Sequence, residues 1–343
     1  MAGAYLSFSG GQNLVKDSTR DSMKDFKKYM PNNEEAVEIF LRGTGYLDTC
    51  LFPEAISALR QAISMVPNFS LAYHNLGNAY ALLPDHKNAL KSFKKAIEYG
   101  CNFAEDYYGC GLASYMLNDY ENAFSYFSTA IEMDPELIKA YYDRGNVHLA
   151  MGNVEQAIAD YSKSIELGAI VYDPYYNRAR IYMDLGEYEK ALVDFTEAKN
   201  LKRGVWEILY NRAYCYHRLG RLDKAIEEYK QTLFINPFFA EGFYCLGTAY
   251  YEMQNYEEAL RNQTQAINLD TNFQQSYFSR GLTYLTIGKY EQAISDLETS
   301  ISLVPEDAEA HYLLSEAYKT KGDSKKAAVL LEKAKQLGYT EEE

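Results

Sequence analysis

Residues 144–167 read RGNVHLAMGNVEQAIADYSKSIEL, residues 178–201 read RARIYMDLGEYEKALVDFTEAKNL, and residues 212–235 read RAYCYHRLGRLDKAIEEYKQTLFI. Each stretch starts 34 residues after the one before it. Extending that register in both directions gives nine units, which start at Ala36, Ser70, Ala104, Ile138, Tyr172, Trp206, Ala240, Gln274 and Ala308 without an insertion or deletion. Position 20 of the unit is alanine every time, from Ala55 to Ala327, and position 8 is always Gly, Ala or Ser. Apolar residues recur at positions 4, 8 and 11 and again at 20, 24, 27 and 28, two runs of helical spacing broken near position 15. The break carries Gly152, Gly186, Gly220, Gly288 and Gly322, with Asn118 once, residues that tolerate the left-handed backbone at a helix end. Pro67, Pro135, Pro237 and Pro305 then close the second helix. Each unit is a helical hairpin. One hairpin cannot bury its own apolar surface, so the units must stack on their neighbours.

The bulky-4, small-8, Tyr-11, Ala-20, aromatic-24, small-27, Pro-32 pattern resembles the tetratricopeptide repeat over residues 36–341. The resemblance implies an all-α fold, a right-handed superhelical solenoid of nine 34-residue helix–turn–helix repeats. Departures are local. Ser114 and His148 stand at position 11, and Gln263 replaces the aromatic at position 24. His148 reads as a hydrogen-bonded packing histidine. Pro84 occupies the turn position of the second unit and predicts a shortened first helix there. Residues 1–35 lie outside the array; Met23, Phe26 and Met30 share a helical face, which predicts a capping helix over about residues 17–30 after a flexible start.

With 34 Lys plus Arg against 48 Asp plus Glu, the net charge of −14 repels phosphate backbones, so nucleic acid is excluded as a general partner. The five cysteines are scattered without CxxC spacing and suggest neither a disulfide framework nor a zinc site. The first residues lack a basic start and a long apolar run, and no apolar stretch is long enough to span a bilayer. The expectation is a cytoplasmic protein without membrane insertion. No phosphate loop, nucleophile elbow, HExxH or dinucleotide fingerprint occurs, so the protein is read as no enzyme, with no cofactor and no bound metal.

Arginine occupies position 7 in five units, as Arg42, Arg144, Arg178, Arg212 and Arg280. Position 23, equally far from the turn on the second helix, is Asp160, Asp194, Glu228 and Asp296 in four of those five, and is never acidic where the arginine is missing. The matching predicts structural ion pairs Arg144–Asp160, Arg178–Asp194, Arg212–Glu228 and Arg280–Asp296, and leaves Arg42, opposite Ala58, in need of another partner.

The resemblance also implies that the first helix of each hairpin lines a concave groove through positions 2, 5, 6, 9, 12 and 13. Position 5 is Phe40, His74, Tyr108, Tyr142, Tyr176, Tyr210, Tyr244, Phe278 and Tyr312, with one unit's place there taken by histidine. The expected ligand is a protein: a peptide segment carrying basic and apolar residues, held by aromatic faces of Tyr108, Tyr142, Tyr176, Tyr210 and Tyr244, amides of Asn177 and Asn211, acids Asp143, Asp173, Glu207 and Glu241, and the interrupting Arg180. The family's chaperone-binding members grip a terminal carboxylate with a Lys-Asn-Asn-Lys-Arg set. His74 and Asn78 begin such a set, but Gly109, Lys139 and Asp143 fail to complete it. The alternative reading is a structural subunit of a larger assembly that uses its convex face or its ends, including self-association through the C-terminal repeat around Leu330, Leu331 and Leu337.

Overall fold

The computed structural model of the protein describes residues 28–340. Most of the expected N-terminal capping helix lies outside the described residues. Among the described residues are eighteen α-helices and no strand. They fall into two compact parts divided after Ala169. The first part holds α1 (Glu34–Asp48), α2 (Phe52–Met65), α3 (Ser70–Leu82), α4 (His86–Glu98), α5 (Ala104–Met116), α6 (Tyr120–Met133), α7 (Ile138–Ala150) and α8 (Val154–Glu166). The second holds α9 (Asp173–Asp184), α10 (Tyr188–Leu201), α11 (Trp206–Arg218), α12 (Leu222–Ile235), α13 (Ala240–Glu252), α14 (Tyr256–Leu269), α15 (Gln274–Thr286), α16 (Tyr290–Leu303), α17 (Ala308–Thr320) and α18 (Ser324–Gln336). Odd-numbered helices are the first of a hairpin and even-numbered ones the second, and the whole is an all-α helical repeat solenoid.

Within each part, every second helix packs on its own first helix and on the first helix of the next unit, while successive first helices also touch one another. The first helices therefore line the inner side of each part. Packing is set by size complementarity between positions 8 and 24. A Cβ added to Gly77 would stand 2.7 Å from the Phe93 ring, one on Gly111 2.7 Å from Phe127, and one on Gly145 2.7 Å from Tyr161. The helices approach until a large ring rests on bare backbone. Where position 24 is Gln263, the fully buried amide is satisfied by Thr283: Nε2 donates to Oγ1 at 3.0 Å, and that hydroxyl lies 3.1 Å from Oε1. The polar exchange thus leaves no orphaned amide in the core.

The ion pairs bridge each hairpin. Arg144 Nε and Nη2 donate to Asp160 at 2.8 Å each, Arg178 to Asp194 at 2.7 Å each, and Arg280 to Asp296 at 2.7 and 2.8 Å. Arg212 Nη2 donates to Glu228, which also accepts from Lys199 at 3.1 Å. The remaining guanidinium nitrogen reaches back to the preceding hairpin: Arg144 Nη1 to Ser128 Oγ at 3.2 Å, Arg212 Nη1 to Thr196 Oγ1 at 3.5 Å, and Arg280 Nη1 to Thr264 Oγ1 at 3.0 Å. One side chain ties two helices of its own unit to the unit before it. Arg42 is the exception; it is exposed and forms no ion pair with the described residues, because water solvates it and no internal partner is needed.

The second unit corrects the expectation drawn from Pro84. Helix α3 has 13 residues, the same as α5 and α7. Pro84 lies two residues past the last helical one, so its missing N–H is not one the helix uses; Leu83 N still donates to Ala79 O and Tyr80 O. At the same turn position Cys50, Asn118 and Gln254 adopt φ of 59°, 60° and 60°, the left-handed conformation seen at Gly152 and its equivalents. A side chain there costs about 1–2 kcal/mol. Gln254→Gly, at an exposed site, is expected to stabilise the protein by up to about 1 kcal/mol after the greater entropy of unfolded glycine is set against the relieved strain. A lowered urea midpoint for that variant would contradict the argument.

His148 differs from its sequence reading in one respect. Its ring packs on Phe124 with centroids 5.2 Å apart, yet Nε2 stays 3.8 Å from Asp160 and Nδ1 is buried without a hydrogen bond. Asp160 is already held by both nitrogens of Arg144, so the histidine is left to pack. Burial, reinforced by the nearby Arg144 charge, lowers its pKa below the usual histidine value although Asp160 opposes the shift.

Candidate functional site

The inner face of the second part starts with α9, α11 and α13, whose position-5 tyrosines repeat every 34 residues, and continues with α15 and α17. Their rings do not lie open as flat platforms. Tyr176 meets Phe195 at 5.8 Å between centroids, Tyr210 meets Phe239 edge-on at 4.9 Å, and Tyr244 meets Phe273 edge-on at 5.3 Å. Each ring is wedged among neighbouring aromatics, so it offers an edge and a hydroxyl rather than a full face. Burial raises the pKa of all three hydroxyls above that of an ordinary phenol.

These hydroxyls link consecutive units. Asn211 Nδ2 donates to Tyr176 OH at 3.2 Å, and Tyr210 OH donates to Glu241 Oε1 at 2.9 Å. Asn211 and Glu241 thereby serve the stacking of repeats as well as the surface. The half-buried Glu207 and the exposed Arg180 make no hydrogen bond or ion pair with the described residues. Asp173 opens α9, and burial raises its carboxyl above the usual range. Asn177 lies next to Tyr176 on the same helix.

In the first part the same device appears once more. Tyr108 OH donates to Asp143 Oδ2 at 2.7 Å, and the Lys139 ammonium sits 4.4 Å above the Tyr108 ring centroid. Desolvation lowers the Lys139 pKa, although the acids around it, Glu105 and Asp143 foremost, oppose that shift. Tyr142 packs its ring against Tyr161 at 5.9 Å.

One polar cluster escaped the sequence reading. His74, Cys101 and Asp106 are all buried, with potential ligand atoms within 4.8 Å of one another. His74 Nδ1 and Asp106 Oδ1 are 2.8 Å apart, and Asn78 Nδ2 lies 3.1 Å from His74 Nε2, so the partners place the ring proton on Nδ1 as donor to the carboxylate. Burial, with the Asp106 carboxylate beside it, holds the Cys101 thiol well above its ordinary pKa. The arrangement is a histidine–carboxylate pair locking two hairpins, with a thiol that resists becoming a thiolate ligand. A histidine in the position-5 series was the available signal, but the acid it needs stands at a position used this way only once.

Tetratricopeptide repeat models match residues 40–101, 107–137, 138–167, 172–204, 240–273 and 308–337, and a further repeat model matches 214–254 and 285–322. The chain belongs to the tetratricopeptide repeat family, and its architecture is that of a protein-interaction scaffold. Among solved structures it is similar to YrrB, described as a TPR protein with an unusual peptide-binding site, at 26% identity over 55% of this chain and 97% of that one, with a TM-score of 0.52. It is also similar to a tetratricopeptide repeat protein from Parabacteroides merdae ATCC 43184, at 21% identity over 69% of this chain and 94% of that one, with a TM-score of 0.52. MamA matches at 25% identity over 46% of this chain and 93% of that one, with a TM-score of 0.44. No curated protein matches the chain in sequence. No helix among the described residues is long and apolar enough to cross a membrane.

Proposed function

We propose that the protein is a non-enzymatic adaptor that holds a peptide segment of a partner protein on the inner face formed by α9, α11 and α13. The observation that carries this reading is the contrast between bonded and unbonded charge there. Tyr176–Asn211 and Tyr210–Glu241 fix the spacing of successive units, while Glu207 and Arg180 remain without a hydrogen bond or ion pair to the described residues. Charges of both signs on a pre-ordered surface suit a mixed-charge peptide with basic residues for Glu207, an acid for Arg180, and an apolar side chain along the tyrosine edges. The peptide-binding site described for YrrB supports the same reading by likeness.

Proteins captured from cells, trimmed to the segments that crosslink to this face, supply the probe. Tyr176→Ala with Tyr210→Ala is expected to weaken such a segment about tenfold or more, and Glu207→Lys to weaken it in proportion to its basic residues, both with unchanged helicity. Added salt should weaken the wild type as well. Segments that bind every variant equally would remove the inner face as the site.

A second reading, a structural subunit of a larger assembly, is favoured by α18, where Val329 is 66% exposed beside half-buried Leu330 and Leu331. Under that reading Val329→Asp disrupts self-association or subunit docking in light scattering, and the inner-face substitutions do not.

A further inference from the structure

The second part of the molecule carries a cleft of about 660 Å³ where α10 and α12 end. Every charged side chain lining it is basic: Lys199, Lys202, Arg203 and Lys230. That is a local excess of positive charge on a chain whose net charge is −14. Between these groups lie Phe234 and Ile235, and Phe234 is 89% exposed. Phe238, four residues further along, is 81% exposed. Two phenylalanines in water are the largest unpaid hydrophobic exposure on the described surface, and an apolar group ringed by charge marks a docking site.

Ordinary helix-end chemistry explains only part of this. Cations near a helix C-terminus complement its dipole, which accounts for Lys199 in the last turn of α10. The last turn of α12 holds no base, so Lys230 lies too early in that helix to serve this purpose, and Arg203 lies beyond α10 altogether. The existing contacts do not consume the charge either. Lys199 donates to Glu228, which Arg212 already neutralises. Lys202 and Lys230 lie over the Tyr172 and Tyr250 rings, at 4.6 and 5.4 Å, where they keep their full charge.

We propose that this cleft docks a peptide segment of a partner protein in which carboxylates flank an apolar or aromatic side chain. The bases meet the carboxylates and Phe234 with Ile235 receives the apolar residue. A free anion would meet the bases and leave the exposed Phe234 and Ile235 uncovered; a nucleic acid would meet four local cations on an otherwise acidic protein. The cleft asks for acids alone, whereas the inner-face ligand carries charge of both signs, so the two sites are separable.

The test uses the full chain and an array of fluorescent octapeptides with a Leu-Phe centre flanked by Glu and Asp, by Ser, or by Lys. Acid-flanked peptides are expected to bind at least about tenfold tighter than the Ser-flanked, Lys-flanked or Ser-centred versions. Lys202→Glu with Arg203→Glu, and separately Phe234→Ser, should each remove about tenfold or more, whereas Lys326→Glu, which reverses an exposed base outside the cleft, changes nothing. All the altered cleft residues are exposed, and circular dichroism checks that the variants fold. The proposal is overturned if no acid-flanked peptide binds, if the Ser-flanked peptides bind as well, if the cleft variants bind like wild type, if inorganic phosphate alone displaces the peptide completely, or if phosphatidylserine vesicles bind the cleft in preference to every peptide.

Discussion

Replacing Asp194 with alanine is expected to destabilise the protein by about 3–5 kcal/mol, far more than the loss of a surface ion pair. The carboxylate is 3% exposed and accepts from two nitrogens of Arg178 at 2.7 Å each. Removing it strands a largely buried guanidinium without its counter-charge, and that desolvated charge is the source of the cost. The pair's net worth is smaller, because bringing both ions out of water offsets most of their attraction. Two controls separate these quantities. Arg178→Leu with Asp194→Leu removes both charges and should lose much less than Asp194→Ala alone. Glu189→Ala removes the partner of Arg221 in a solvent-exposed pair and should cost only about 0–1 kcal/mol. Urea unfolding followed by circular dichroism gives all three values. Equal losses for Asp194→Ala and Glu189→Ala would mean that burial adds nothing to the repeated arginines.

The ion pairs were legible because the hairpin sets a simple rule: residues equally distant from the turn face each other, and the chain repeats the match. The second bond of Arg144, Arg212 and Arg280 obeys a rule of the same kind that comparison within a hairpin does not reach. Ser128, Thr196 and Thr264 stand at position 25 of the units immediately before those that carry these three arginines. Only stacking of one hairpin on the next turns that sequence regularity into a contact. The inner face was less legible for a different reason. Position 5 announces its aromatics, but the groups that bond their hydroxyls are Asp143, Asn211 and Glu241, a different residue in each unit. Turn chemistry was hidden where Cys50 and Gln254 take a backbone conformation that their side chains disfavour, since the packed hairpin imposes it. The basic cleft adds Lys230, Phe234 and Ile235 of one hairpin to the run Lys199, Lys202 and Arg203 of the hairpin before it, so the sequence shows the local charge but not the apolar residues that stacking brings beside it.

Phe93→Ala is expected to cost about 3–5 kcal/mol in the first part of the array, and its interaction with two glycines should reverse the sign of their alanine substitutions. The ring is 2% exposed and touches bare backbone on two helices. A Cβ on Gly77 of α3 would come within 2.7 Å of Cδ1 and Cε1, and one on Gly109 of α5 within 2.6 Å of Cε2. Phe93 therefore joins its own hairpin to the next by filling the space that both glycines leave, and it cannot retreat from one without meeting the other. In the wild type, alanine at Gly77 and Gly109 gains up to about 1 kcal/mol each in helix propensity. Overpacking against the trapped ring, about 1–3 kcal/mol per site, outweighs that gain. In the Phe93→Ala background the clash disappears and the two methyl groups partly refill the cavity, so the same pair of substitutions becomes stabilising. The measured coupling in a double-mutant cycle should therefore be large and opposite in sign to simple additivity. If Gly77→Ala with Gly109→Ala stabilises the wild type as much as it stabilises Phe93→Ala, the glycines are not shaped around the ring, and helix propensity alone explains their effect.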